Sequence, residues 1–202
     1  VKEIEFFDNY VASKSVTIPA AYLVPRGWHS VIELMESNHV EMTVVESETT
    51  LDAEVYRIEE LSTQAAPYEG HYFHDDVKVS VELTQVKAKP GDVLIPTQQP
   101  KARYVVETLE PEAMDSLFRW NFFDTLLQQK ESFSPYVFEE TARTMLEQDN
   151  HLATEFNAKR ESDPDFAANR TVQLEFLFRA SPHYEPAHMR YPITRVRELP
   201  TP

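Results

Sequence analysis

The spacing of apolar residues divides the chain into stretches of different period. Residues 1–25 read as extended: Ile4, Phe6 and Phe7, then Val16 and Ile18, then Ala20-Ala21-Tyr22-Leu23-Val24 closed by Pro25. Short apolar runs bounded by proline are strand candidates. From Trp28 the spacing turns helical, with Trp28, Val31, Ile32, Leu34 and Met35 between the punctuating Gly27 and Asn38. Val40 to Val45 then returns to strand, which predicts a β-α-β unit over residues 20–46 with a right-handed crossover between parallel strands.

Residues 47–110 predict antiparallel strands. Glu54-Val55-Tyr56-Arg57-Ile58 alternates, and so does the run from Val77 to Leu83, whose apolar residues 77, 79, 81 and 83 share one side. Lys89-Pro90-Gly91-Asp92 is a turn leading into Val93-Leu94-Ile95, and Arg103 to Leu109 reads as a further strand. The three glycines, 27, 70 and 91, are expected where a sharp turn or positive φ is needed.

A helical block is expected over about 111–160. Pro111 fits a first helical turn, flanked by Glu110 and Glu112 at the positive end of the dipole, and Met114, Leu117, Phe118, Phe122, Leu126 and Leu127 supply a broad apolar face. Ser134-Pro135 repeats the start signal for a helix to Gln148, with Val137, Phe138, Ala142, Met145 and Leu146 inward. A shorter helix at His151–Lys159 and a turn at Pro164–Ala168 follow. Val172, Leu174, Phe176 and Phe178 alternate as a strand returning to the sheet, and a last short strand is expected at Ile193–Val196 after a stretch rich in proline. The predicted fold is α+β: a mixed sheet with one N-terminal β-α-β unit and antiparallel strands, and the helical block packed on it. It is one domain over 1–202, with 1–110 mainly strands and one helix, 111–170 helical, and 171–202 a returning strand with a tail.

Composition narrows the function. Of 202 residues, 34 are acidic and 19 basic, a formal net charge of −15, and 42% are hydrophobic. The apolar content is enough for a packed core, and the acidic surface argues against nucleic acid, whose phosphates need clustered Lys and Arg. No run approaches the roughly 20 apolar residues of a membrane span. Residues 1–150 hold 27 acids and 12 bases while 151–202 hold 7 of each, so an arginine-bearing tail is expected to strap an acidic body. Without cysteine there is no disulfide, thiolate ligand or thiol nucleophile. Native chains begin with Met unless processed, so a chain opening Val1-Lys2-Glu3-Ile4 is expected to be part of a larger protein.

The motifs of known chemistry are missing. There is no His-Glu-x-x-His, no Gly-x-Ser-x-Gly and no Gly-rich phosphate loop. His71 and His74, followed by Asp75 and Asp76, form the densest imidazole cluster, but residues three apart on a strand face opposite ways, so no metal is assigned to them. A second, weaker cluster is His183, Glu185 and His188. Three stretches remain as binding candidates, each with a structural reading beside it. Pro67-Tyr68-Glu69-Gly70-His71 is either a pocket wall or a glycine turn packed by its tyrosine. Trp120, Asn121 and Asp124 either bind or anchor neighbouring strands by hydrogen bonds. Ser181 to Pro192, with His183 and Tyr184, is either a binding loop or a strap. The candidate binding residues are thus Tyr68, Glu69, His71, His74, Trp120, Asp124, His183 and Tyr184, with no catalytic residue and no metal ligand.

The same words carry a family resemblance. Ala21-Tyr22-Leu23-Val24-Pro25 with Trp28 and Val31-Ile32-Glu33-Leu34, then Pro67-Tyr68-Glu69-Gly70-His71, then Trp120-Asn121-Phe122-Phe123-Asp124 leading to Gln129-Lys130-Glu131, and Arg190-Tyr191-Pro192, together resemble the region after the catalytic domain in large bacterial zinc carboxypeptidase-like proteins of the carboxypeptidase A type. In that family the catalytic zinc is held by a His-x-x-Glu pair and a distant His. This chain has no His-x-x-Glu, so none of those roles transfers. The resemblance implies a non-catalytic accessory domain, with zinc only in a catalytic domain of the same parent chain, peptide as the substrate, and a periplasmic or secreted location. The rival expectations are a module that binds a small molecule or peptide with no peptidase role, and an independent hydrolase with acids or histidines converging in a cleft.

Overall fold

The structure, a computed structural model, describes residues 11, 12, 14–129 and 132–199; the strand expected around Ile4 to Phe7 lies outside them. In chain order the elements are β1 (Ala21–Val24), α1 (His29–Ser37), β2 (Thr43–Val44), β3 (Thr49–Thr63), β4 (His74–Ala88), β5 (Val93–Pro96), α2 (Ala102–Leu109), a 3-10 turn (Asp124–Leu127), α3 (Pro135–Gln148), α4 (Asn150–Ser162), α5 (Pro164–Ala168), α6 (Arg170–Arg179) and β6 (Thr194–Val196). They gather into two compact units, unit 1 from 1–122 and 192–202 and unit 2 from 123–191.

Unit 1 carries the α+β class. Its six strands form one sheet in the order β2-β5-β1-β6-β3-β4, and every neighbouring pair is antiparallel. The β-α-β succession is present with one correction. β1 and β2 both pair with β5, so they run the same way on either side of it and do not pair with each other. The turn into β5 follows its chemistry: Gly91 has φ 92°, and the buried Asp92 carboxylate accepts the backbone N–H of Arg26 at 2.9 Å and of Lys89 at 2.8 Å. One side chain therefore ties the end of β1 to the β4–β5 turn.

β3 and β4 extend well beyond the alternating runs that predicted them. Paired residues on antiparallel neighbours point to the same side, which sorts the sheet into two faces. One carries Ala21, Leu23, Leu51, Ala88 and Val196, clustered with Val45. The opposite one carries Tyr22, Arg195 and Glu54 side by side on β1, β6 and β3, with Tyr56 and Ile58 further along β3.

Four expectations fail. Arg103 to Leu109 forms α2, with Val105, Thr108 and Leu109 buried at helical spacing. Pro111 ends that helix and does not start one: Glu110, just before the proline, takes φ −79°, ψ 123°, as the proline ring disfavours helical geometry in the preceding residue. The long helix expected from Pro111 to Leu127 is consequently a series of turns closed by the 3-10 turn. Val16 and Ile18 form no strand.

Unit 2 contains the fourth failure. The segment expected as a returning strand is helix α6, whose buried residues Leu174, Leu177 and Phe178 follow helical spacing. Asn169 starts it, its side-chain oxygen accepting from the N–H groups of Thr171 and Val172 at 3.1 and 3.2 Å. Asp149 caps α4 in the same manner, and Asp163 caps α5 ahead of Pro164. Each cap satisfies N–H groups that the first helical turn leaves orphaned. α3 and α4 lie where the sequence places them, although Val137 on α3 is exposed, and the turn expected at Pro164–Ala168 is the short helix α5. The four helices enclose Phe138, Ala142, Leu152, Phe156, Phe166, Leu174, Leu177 and Phe178. Rings meet edge to face there, Phe138 on Phe178 at 5.5 Å and Phe156 on Phe166 at 5.6 Å, the arrangement that the ring quadrupole favours.

Candidate functional site

The link between β3 and β4 builds an aromatic surface on unit 1. Its tip is a small hairpin in which Tyr68 and His71 exchange backbone hydrogen bonds of 2.9 Å. The two residues between them, Glu69 and Gly70, both have positive φ, 49° and 83°, the requirement of a type I′ turn. Gly70 is needed for that φ and not for space, since a side chain there would meet nothing within 4 Å. The turn presents Tyr68 and His71 to the segment carrying Trp120. His71 meets the indole edge on at 5.3 Å, Phe73 lies 4.3 Å from it, and Tyr68 lies 5.8 Å from Phe73. Tyr68 is 58% exposed and Tyr72 49% exposed, while His71, Phe73 and Trp120 are half-buried.

His74 holds this surface from behind. It is buried, with Nδ1 3.0 Å from the Thr63 hydroxyl and Nε2 3.2 Å from Asn121 Nδ2. Because that amide nitrogen donates, Nε2 accepts and the ring proton sits on Nδ1, facing Thr63. Asn121, itself at φ 66°, also donates to the Tyr72 carbonyl at 2.8 Å. Arg119 donates through Nε to the His74 carbonyl at 2.8 Å and pairs its guanidinium with Asp75. Both nitrogens of His74 are thus engaged within the protein, so what it contributes is position.

The eight predicted binding residues divide between the units. Tyr68, Glu69, His71, His74 and Trp120 come together in unit 1. Asp124, His183 and Tyr184 belong to unit 2. There Asp124 opens the 3-10 turn, His183 is exposed, and the Tyr184 hydroxyl lies 2.7 Å from His188 Nδ1. Unit 2 also has a cleft of about 330 Å³ with an apolar floor of Ala142, Leu146 and Leu174 and a charged rim that includes Glu139, Arg143 and Arg170. Among the described residues no group of three or more His, Asp or Glu is placed to hold a metal ion, and no helix is long and apolar enough to cross a membrane.

Sequence reasoning missed a buried polar node centred on Glu110. Glu110, 5% exposed, leaves the end of α2 over the sheet and accepts from the Tyr22 hydroxyl at 2.6 Å and the Tyr56 hydroxyl at 2.8 Å. Arg195, 6% exposed, places Nε 3.1 Å from the same carboxylate without hydrogen-bond alignment, pairs with Glu54 and donates to the Thr17 carbonyl. Its guanidinium carbon also lies 5.3 Å from the Tyr56 ring centre. Burial first, then the Glu110 carboxylate, pushes both tyrosines well above the ordinary phenol range. Burial alone would lower Arg195, but Glu110, Tyr56 and Glu54 outweigh it and hold the guanidinium more firmly protonated. With both carboxylate oxygens of Glu110 engaged, this node locks strands together and offers no free base.

No family model, curated protein or solved structure matches the chain. Its functional reading therefore rests on the surfaces described above and on the resemblance carried by its sequence words.

Proposed function

We propose that this chain is a non-catalytic accessory domain of a zinc carboxypeptidase-like protein, and that the aromatic surface of unit 1 holds peptide for a catalytic domain of the same parent chain. The observation that carries this reading is the meeting of Tyr68, His71, Phe73 and Trp120. They come from two segments about fifty residues apart, and those segments contain the words on which the resemblance rests. A half-exposed group of rings takes up the apolar parts of an extended peptide, and aromatic faces attract cations. Glu69 and Asp76 lie in the same loop and strand start, which favours peptides bearing lysine, arginine or a free amino terminus. In this reading the chain itself needs no cofactor, the zinc belongs to the partner domain, and the working compartment is periplasmic or extracellular.

Intrinsic fluorescence tests the peptide role, because the chain has only two tryptophans. In a Trp28→Phe background, short peptides rich in lysine and proline should shift Trp120 emission saturably, and Tyr68→Ala should weaken the apparent affinity about tenfold. No saturable shift, or one indifferent to Tyr68, overturns the assignment of this surface. The peptidase link is checked separately in the parent reading frame, where a His-x-x-Glu and a later His should precede Val1.

A further inference from the structure

The sheet ends on one side at β4, and the middle of that strand is open. Native proteins protect such edges with bulges, covering segments, prolines or repeated charges, since a bare row of N–H and C=O groups pairs with another strand. β4 has this protection at one end only. There Asp76 sits at φ 52° beside a register slip between Glu60 and Ser62, and the His74 N–H donates to the Arg119 carbonyl at 3.2 Å. From Val77 to Leu83 the pairing with β3 continues while the outer side meets no strand among the described residues. That stretch has no proline, Val81 is 53% exposed and Leu83 is 67% exposed. Its only two charges are Lys78 and Glu82, opposite in sign, four apart and on the same side of the strand.

We propose that this edge pairs with the same edge of a second copy of the chain, antiparallel and centred on Ser80. A two-fold axis through Ser80 sets Lys78 opposite the partner's Glu82 and Glu82 opposite the partner's Lys78. It also sets Val79 opposite the partner's Val81, and Leu83 opposite the partner's Val77. Both ion pairs and the exposed apolar stripe are then satisfied by one register. The neighbouring registers do worse. An axis through Val81 leaves Lys78 opposite threonine and Glu82 opposite serine, and one through Glu82 opposes the two carboxylates. An axis between residues sets an outward-facing backbone group against an inward-facing one and forms no ladder. The interface is isologous, as closed dimers require. The net charge of −15 works against association, but at physiological salt it is screened beyond about 8 Å, farther than the reach of a cross-strand pair.

Sedimentation equilibrium across a hundredfold range of concentration tests this, with the fold checked by circular dichroism. The wild type should reach twice the chain mass. Lys78→Glu and Glu82→Lys should each weaken self-association at least tenfold, because each places like charges across the axis twice. An equal mixture of the two variants should dimerise again, since every pair in the mixed dimer is complementary. Lys78 also bridges Glu60 within its own chain at 2.6 Å; the Lys78→Glu chain lacks that bridge in the mixture as well, so recovery there belongs to the interface. The proposal is overturned by a wild type that stays monomeric, by a dimer that ignores both substitutions, or by a mixture that fails to associate. In a monomer, slow hydrogen exchange at those amides of 77–83 that face away from β3 would mean that another segment covers the edge, and overturns it equally.

Discussion

Unit 1 and unit 2 solve the same problem with opposite means. Unit 2 is held by neighbours in sequence: its caps at Asp149, Asp163 and Asn169 act within three residues, and its core is almost entirely phenylalanine and leucine on four successive helices. Unit 1 is held at a distance. Its node joins Arg195 to Glu54 across 141 positions and Tyr22 to Glu110 across 88. A buried apolar core is forgiving about which residue touches which, whereas a buried charge is tolerated only when particular partners arrive. The node therefore specifies which strands sit beside one another, and the phenylalanine core mainly supplies burial.

The comparison is broken most directly at Arg195. Arg195→Met leaves Glu110 and Glu54 without their cation and should destabilise unit 1 by about 3–5 kcal/mol. Urea unfolding followed by near-ultraviolet dichroism of the tyrosines measures it. Adding Glu110→Leu should recover part of that loss, because replacing a whole buried pair by apolar groups is often neutral. No recovery would mean that the node contributes packing more than charge balance.

In unit 2 the matching disruption is Phe166→Ala, which opens a cavity among Phe156, Phe176 and the helices around them. The expected loss is about 3–5 kcal/mol, read from helical ellipticity against denaturant. Here no second substitution at a distance should restore stability, since no particular partner has been stranded.

The smallest effect is the response to pH, and its sign differs between the units. Tyr22 and Tyr56 have folded pKa values raised above the ordinary phenol value of about 10. Their contribution is fully present below about pH 10 and is lost as pH rises toward the folded values. Asp163 is shifted the other way, chiefly by the hydrogen bond from the Phe166 N–H and then by Lys159. Its contribution is present above the ordinary carboxylate range and is lost as pH falls through the lowered value. Unit 1 should soften first on the alkaline side and α5 of unit 2 on the acid side. Thermal melts across pH check this, and Tyr22→Phe should flatten the alkaline slope while Asp163→Asn flattens the acid one.

The same division explains what the sequence could reveal. α3 is announced by Ser134-Pro135, and Lys89-Pro90-Gly91-Asp92 is a turn by composition; both are signals within four residues. The middle of β3 and β4 shows through the period of two. α6 reads as a strand because Val172 to Phe178 satisfies both periods. Leu177, out of phase for a strand, and Asn169, a cap, were the signals that separate them. Pro111 has the composition of a helix start, but the proline bars Glu110 before it from helix, so the helix lies at 102–109, on the other side of the proline. In the aromatic surface, Tyr68-Glu69-Gly70-His71 was legible as a turn, but nothing local places Trp120 against it. Glu110 and Arg195 were beyond reach for a different reason. Each is one of many charges in the chain, and burial is decided by residues far away in sequence. The expected strap of arginines on the acidic first 150 residues holds for Arg195 with Glu54 and for Arg170 with Glu139, while Arg179 pairs with Glu175 inside the tail itself.

The position of β6 sets a clock on synthesis. It lies between β1 and β3 in the sheet, yet it follows every other described strand in sequence and is made after all of unit 2. At about 5–20 residues per second, the ribosome takes roughly 5–20 s to travel from the end of β5 to β6. During that interval β1 and β3 each expose an unpaired edge, and Glu110 waits for its cation. The nascent chain therefore passes through a stage in which unit 2 is finished as helices while the earlier strands are still two separate pieces of sheet.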